Sequence, residues 1–215
     1  SNPEPSFIGN PINDVFFFRG RLGVLSGENV ILSRSNNVFH FWSSTATDVV
    51  DTDPIDISAN HAERVCTLTH AVPFAEALVL FADRAQFILA SEATLTPLTA
   101  RVVAATDFAF NPYAAPTGAG RNICFASERL QYASVKEFYT MQNVSEGKNA
   151  NDVSAHVPSY IPKGVHKFLS GSTENLLLAL TEGAEDKIYV YKYLFLDESR
   201  VQSSWSHWGF GEDAK

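Results

Sequence analysis

The sequence predicts an all-β fold, propeller-like and built from about four antiparallel blade-type repeats that need not close into a complete propeller. Three observations predict it. Short segments rich in Val, Ile, Leu, Phe and Tyr are bounded by Gly, Asn, Asp, Ser or Pro along almost the whole 215-residue chain. No long amphipathic helical pattern occurs; the best window, near Phe74–Arg84, runs into Val79–Phe81 and Gln86–Leu89, which read better as a hairpin. An apolar strand, a short polar turn and a second apolar strand also recur with starts about 45 to 55 residues apart, close to the spacing of propeller blades.

Taken in order, the first hairpin lies near Leu22–Ser35 and turns at Ser26–Asn29. The second, near Leu78–Ser91, turns at Ala82–Ala85, and the third, near Asn122–Val135, turns at Ser127–Arg129. The fourth, near Leu176–Tyr193, carries a longer acidic turn. These apolar strands are too continuous to be half-solvated, so each is expected to be covered on both faces, as between stacked blades. Val38–Trp42 and Val190–Tyr193 alternate better and read as neighbouring strands with one wetter face. A β-sandwich would show similar strands at shorter spacing without the longer repeat, so the repeat favours the propeller. Thr45–Ser58 and Asn143–Asp152 read as loops, the second being the candidate mobile segment. Residues 1–6 read as a tag scar and leader, with Ser1-Asn2 as the scar, and residues 7–215 as one propeller-like domain.

Composition narrows the function. Hydrophobic residues make up 45% and charged residues 19%, which excludes a disordered tail. No apolar run approaches the about 18 residues of a membrane-spanning helix. The net charge of -8, with no basic cluster, argues against a dedicated duplex binder, which neutralises about 6–10 phosphates. Cys66 and Cys124 lack metal-ligand spacing and read as buried free thiols.

Candidate sites are few. Asp51, Asp53 and Asp56 could hold calcium or supply a glycosidase acid/base pair, but Ile55 and Asp56 stand where a calcium loop needs a ligand and a glycine. A Pro-stiffened solvated turn is the simpler reading. The six histidines form no zinc motif, no Gly-x-Ser-x-Gly elbow is present, and Gly118–Asn122 lacks the third glycine and the helix of a nucleotide loop. Asn143–Ser145 fits a glycosylation acceptor that is common by chance. Neither a catalytic residue nor a cofactor or metal ligand is assigned. Arg19, Arg21 and Arg34 flank the first hairpin and could bridge to a neighbouring blade or subunit, while Trp205 and Trp208 could plug a core or an interface.

The run Ile12–Ser35, then Phe39–Trp42 and Asp51–Asp56, resembles the tail tubular protein B, or nozzle, family of short-tailed bacteriophages. The likeness continues through His70–Phe74, Leu80–Asp83, Gln86-Phe87 and Gly120–Asn122. The resemblance implies a non-enzymatic virion component: an internal fragment of a phage or prophage tail nozzle, with β-propeller-like domains, that helps to surround the DNA ejection channel. It implies other copies in a ring, the adaptor and tail fibre as neighbours, DNA passing without sequence-specific binding, and assembly in the bacterial host cytoplasm. An acidic wall would help DNA to slide, since each captured phosphate adds grip. The rival reading is a carbohydrate-binding or glycoside-cleaving tail module, with Trp42 and Trp205 as sugar platforms and Asp51–Asp56 as the chemistry. A third, an exported sensor or adhesion propeller, would need a signal that the sequence does not show.

Overall fold

Alternating apolar segments and polar connections produce sixteen strands in the computed structural model, which describes residues 3–45, 48–61, 65–74, 76–91, 94–139, 149–197 and 199–211. No helix occurs among them. The strands form four four-stranded antiparallel sheets, each a simple meander in chain order. The first sheet holds β1 (Asp14–Phe18), β2 (Arg21–Ser26), β3 (Asn29–Leu32) and β4 (Ile55–Ser58). The second holds β5 (Leu68–Phe74), β6 (Ala77–Ala82), β7 (Gln86–Ala90) and β8 (Arg101–Thr106). The third holds β9 (Thr117–Ala119), β10 (Asn122–Arg129), β11 (Tyr132–Tyr139) and β12 (Asn149–Asp152), and the fourth β13 (Val165–Gly171), β14 (Leu176–Thr181), β15 (Lys187–Leu196) and β16 (Ser199–Gly209). In each sheet the two middle strands are the apolar hairpin that stands out in the sequence.

The contacts divide the chain into two compact units, Ser1–Phe108 and Ala109–Lys215. In the first unit β1 packs against β5, and Phe16, Leu25, Leu32, Leu68, Leu80 and Phe87 meet in one core between the two sheets. In the second unit β9 packs against β13, and Cys124, Val135, Phe168, Leu177, Tyr191 and Tyr193 form the corresponding core. Tyr189, Tyr191, Tyr193 and Phe195 recur at every second position of β15, so a strand's two-residue period puts all four rings on one face.

Each unit closes with the same device. The Asn13 backbone N–H donates to Leu25 O on β2 at 2.9 Å, and its side-chain amide donates to Leu68 O, at the first residue of β5, at 2.8 Å. In the second unit the Asn111 N–H donates to Ala126 O on β10 at 2.9 Å, and its amide to Val165 O, at the first residue of β13, at 2.8 Å. Leu25 and Ala126 are both the fifth residue of their strands. One Asn thus ties the second strand of one sheet to the strand that opens the next through two main-chain carbonyls.

Several local expectations are corrected. Val38–Trp42 is not a strand: Asn36 takes a left-handed φ of 58°, Arg34 and Asn37 form an isolated bridge, and the Arg34 N–H closes the loop on His40 O at 2.8 Å. The outer strand of the first sheet is instead β4, cut from the end of the segment read as a loop. The third hairpin turns at Leu130-Gln131, because Arg129 pairs with Tyr132 and Leu130 takes φ 56°. Asn149–Asp152, read as loop, pairs with β11 as β12; residues 140–148, including the Asn143–Ser145 acceptor pattern, lie outside the described residues, as does Ser1-Asn2. Finally, β6 is buried on both faces as expected, whereas β14 alternates between buried and half-buried residues, so one of its faces is less covered.

Candidate functional site

Arg21 opens β2, and its side chain runs beneath the loop that carries Asp51–Asp53. It is 2% exposed. Nη1 donates to Ser33 O and Asp53 O, each at 2.7 Å, and Nη2 to Asp51 O at 3.0 Å and Leu95 O at 3.4 Å. A planar fork of donors suits this convergence of carbonyls as an ammonium would not. Burial lowers its pKa and the Asp53 charge partly restores it. A guanidinium nevertheless remains charged at neutral pH.

Asp53 is itself buried. Its carboxylate accepts the Ser44 N–H at 3.0 Å, the Ser44 hydroxyl at 2.8 Å and the Val50 N–H at 3.1 Å, and Arg34 Nε lies 3.9 Å away. Burial alone would raise its pKa, but the bonds from Val50 and Ser44, with the Arg34 charge, outweigh burial and hold it below the ordinary value. A carboxyl so fixed in its ionised form is no general acid at neutral pH. Asp51 contributes its main-chain carbonyl, and Asp56 accepts from the Ser6 N–H at 2.8 Å and from Asn29 Nδ2 at 2.9 Å. Asp51 and Asp53 therefore shape the loop around Arg21 and Arg34, whereas Asp56, on β4, ties Ser6 to Asn29 of β3.

Arg19 occupies the β1–β2 turn with φ 47° and reaches the second sheet, where Nη2 donates to Glu76 O at 2.7 Å and Nη1 to Ser91 Oγ at 3.1 Å. The cations of the first hairpin thus hold backbone and hydroxyl oxygens within the first unit, and only Arg34 approaches a carboxylate. On β16, Trp205 stacks on Tyr191 with centroids 5.0 Å apart, and its Nε1 donates to Val153 O at 2.9 Å, so this ring is not a free sugar platform. Trp208 is 47% exposed and Trp42 43%.

Sequence reasoning missed a polar cluster in the second unit. Glu137 on β11 is buried, and its carboxylate accepts from both the Asn122 amide and the Arg200 guanidinium, the latter lying over the Phe195 ring. Burial pushes the Glu137 pKa up, and Arg200 and Asn122 pull it back. This group lines a cavity of about 600 Å³ with Arg121, Tyr139 and Asp152. Neighbouring Cys124 is buried and unbridged, and burial pushes its thiol pKa up, so it is inert as a nucleophile. The missed signal is faint: single polar residues in β10, β11 and β16 that no spacing links. Among the described residues, no group of three or more His, Cys, Asp or Glu side chains could hold a metal ion.

The geometry is that of a scaffold, in which charge is spent on pinning loops and joining sheets. Comparison with known proteins agrees. The family model described as bacteriophage nozzle protein matches residues 1–215. The chain belongs to the bacteriophage nozzle protein family. It is 46% identical to the tail tubular protein gp12 of Escherichia phage T7 over 215 residues, which is all of this chain and 27% of that protein. The nozzle chain thus spans about a quarter of the length of the curated relative it matches, and the resemblance first read in Ile12–Asn122 extends across the less distinctive C-terminal part.

Proposed function

We propose that this nozzle chain is a propeller-like, non-enzymatic wall segment of a phage or prophage tail, contributing to a ring of copies around the channel through which DNA leaves. The observation that carries the reading is the family match along the entire chain. Two structural features support it. Four equal meanders follow one another, and in each unit the opening strand of one sheet packs beside the opening strand of the next, the arrangement that blades adopt around an axis. Arg19, Arg21 and Arg34 are also engaged within the first unit, and a chain of net charge -8 favours no tight grip on a passing polyanion.

In this reading residues 7–215 act as one propeller-like body, the neighbours are further copies together with adaptor and tail fibre proteins, and contact with DNA is independent of base sequence. Assembly takes place in the bacterial host cytoplasm. The test is direct. Phage carrying an epitope in the exposed Glu182–Asp186 turn of this segment should show the label at the tail by electron microscopy and in purified virions by immunoblot. Virions without the label, from cells that make the tagged protein, would overturn the assignment.

A further inference from the structure

The core face of the third sheet changes character along its strands. Val135, paired with Ala126, belongs to the apolar core, whereas Glu137, paired with Cys124 and Asn151, begins a polar end that continues two residues later in Tyr139. Phe195 of β15 and Arg200 of β16 complete the lining of the cavity of about 600 Å³ found there, a volume typical of small-ligand sites. Its inner wall is fixed by the chain itself. Arg200 lies over the Phe195 ring, its Nη2 donates to Glu137 Oε1, and the Asn122 amide donates to the same oxygen. Glu137 Oε2 and Arg200 Nη1 are left with no hydrogen-bond partner among the described residues, and Arg200 Nε is buried without one. A buried polar pair that is only half satisfied is costly until something completes it. Around the mouth, Arg121, Asn151 and His156 are exposed, and their side chains form no hydrogen bond or ion pair with described residues.

The chemistry of the lining selects the ligand. Two guanidinium groups, Arg121 and Arg200, are matched by two carboxylates, Glu137 and Asp152. A phosphate or carboxylate would meet those carboxylates, and an ammonium would meet the guanidinium groups. A molecule with many hydroxyls and no net charge suits both, since each hydroxyl donates one hydrogen bond and accepts others. We propose that this cavity is a binding site for a neutral oligosaccharide, whose hydroxyls donate to Glu137 Oε2 and accept from Arg200, Arg121 and Asn151. The role is recognition alone, and no bond is made or broken. The site uses neither Trp42 and Trp205 nor Asp51–Asp56, and it adds a ligand to the wall segment without depending on its place in the tail.

Calorimetric titration of the 215-residue chain tests it, with a panel of neutral trisaccharides of glucose, galactose, mannose and N-acetylglucosamine as probes. At least one should bind saturably below about 10 mM. Arg121→Ala and Asn151→Ala alter exposed side chains that hold nothing within the fold, and each should weaken that binding at least about fivefold. Glu137→Gln, which exchanges the free acceptor for a donor, should weaken it further; should that variant fail to fold, the two exposed variants decide the matter. Glu185→Ala, in an exposed turn away from the cavity lining, should leave the affinity unchanged. Silence across the panel overturns the proposal, and so does binding that Arg121→Ala and Asn151→Ala leave intact. Saturable binding of inorganic phosphate or of lysine in place of the sugars also overturns it, by making the cavity an ion site. None of these outcomes bears on whether the protein is in the tail, which the epitope experiment decides separately.

Discussion

Replacing Arg21 by Met keeps most of the buried volume and removes the donor fork. Three of its four contacts are short, at 2.7, 2.7 and 3.0 Å, and the fourth, at 3.4 Å, adds little. A hydrogen bond from a charged donor contributes about 1.5–3 kcal/mol, and the carbonyls left behind retain only part of that through relaxation. Three such losses, discounted because they share one side chain, give about 3–5 kcal/mol, the range found when one partner of a buried charged group is deleted. A domain of this kind holds about 5–15 kcal/mol in total, so the first unit should approach its unfolding threshold. Urea denaturation followed by circular dichroism measures the loss, and amide hydrogen exchange locates it. Protection should collapse in β2, β3 and the 48–53 loop and persist in the second unit. Arg21→Lys should recover less than half, because one ammonium cannot meet three diverging carbonyls. A loss below about 1 kcal/mol for Arg21→Met would refute the view that the guanidinium holds the loop.

The remaining predictions follow from the same geometry. Asp53 and Glu137 should give pH dependences of opposite sign. Asp53, held low, contributes stability above its unfolded value of about 3.9 that is lost as pH falls through its lower folded value, and Asp53→Asn should flatten that acid limb. Glu137, held high, costs stability as pH rises above its unfolded value of about 4.3, and Glu137→Gln should flatten the change there; unit-resolved hydrogen exchange across pH 2–7 reads both. Gly23→Ala would set a Cβ 2.2 Å from the Phe16 ring on the paired strand, so it should cost about 1–3 kcal/mol by urea melting, and Phe16→Leu should relieve part of the cost. Asn111→Ala removes the amide bonds to Val165 O and Glu128 Oε1 and should cost about 1–3 kcal/mol, with raised exchange where β13 begins.

The repeat was legible because each sheet's central hairpin is largely buried and carries a run of apolar residues in both strands, and a two- to five-residue turn interrupts it visibly. The outer strands were not. β4 and β12 are four residues each, and Asn149–Asp152 has the composition of a loop; their pairing is imposed by the hairpin beside them, which leaves no trace in local sequence. Conversely, Val38–Trp42 has strand composition, but the Asn36-Asn37 turn before it reverses the chain. Of the site residues, Arg19, Arg21 and Arg34 were visible as cations beside an apolar hairpin, whereas their acceptors are mostly main-chain carbonyls, which no residue type announces. Glu137 and Arg200 lie far apart in sequence and meet only because β11 and β16 are brought into one unit.

The recurrence of the Asn clasp links these observations. Asn13 and Asn111 stand at the same place in successive units, each bonding the fifth residue of a second strand and the first residue of a fifth. The residues before and after them differ, as Asp14 begins β1 directly while five residues separate Asn111 from β9. A contact preserved through such a change in loop length belongs to the packing of the sheets and not to local turn chemistry. Asn suits it because one short side chain can donate to a carbonyl on a neighbouring sheet while its own backbone N–H joins the nearer one. The step from sheet to sheet is therefore fixed by polar main-chain geometry as well as by apolar area. Fixed spacing of this kind keeps the step between paired sheets constant while the side chains around it diverge.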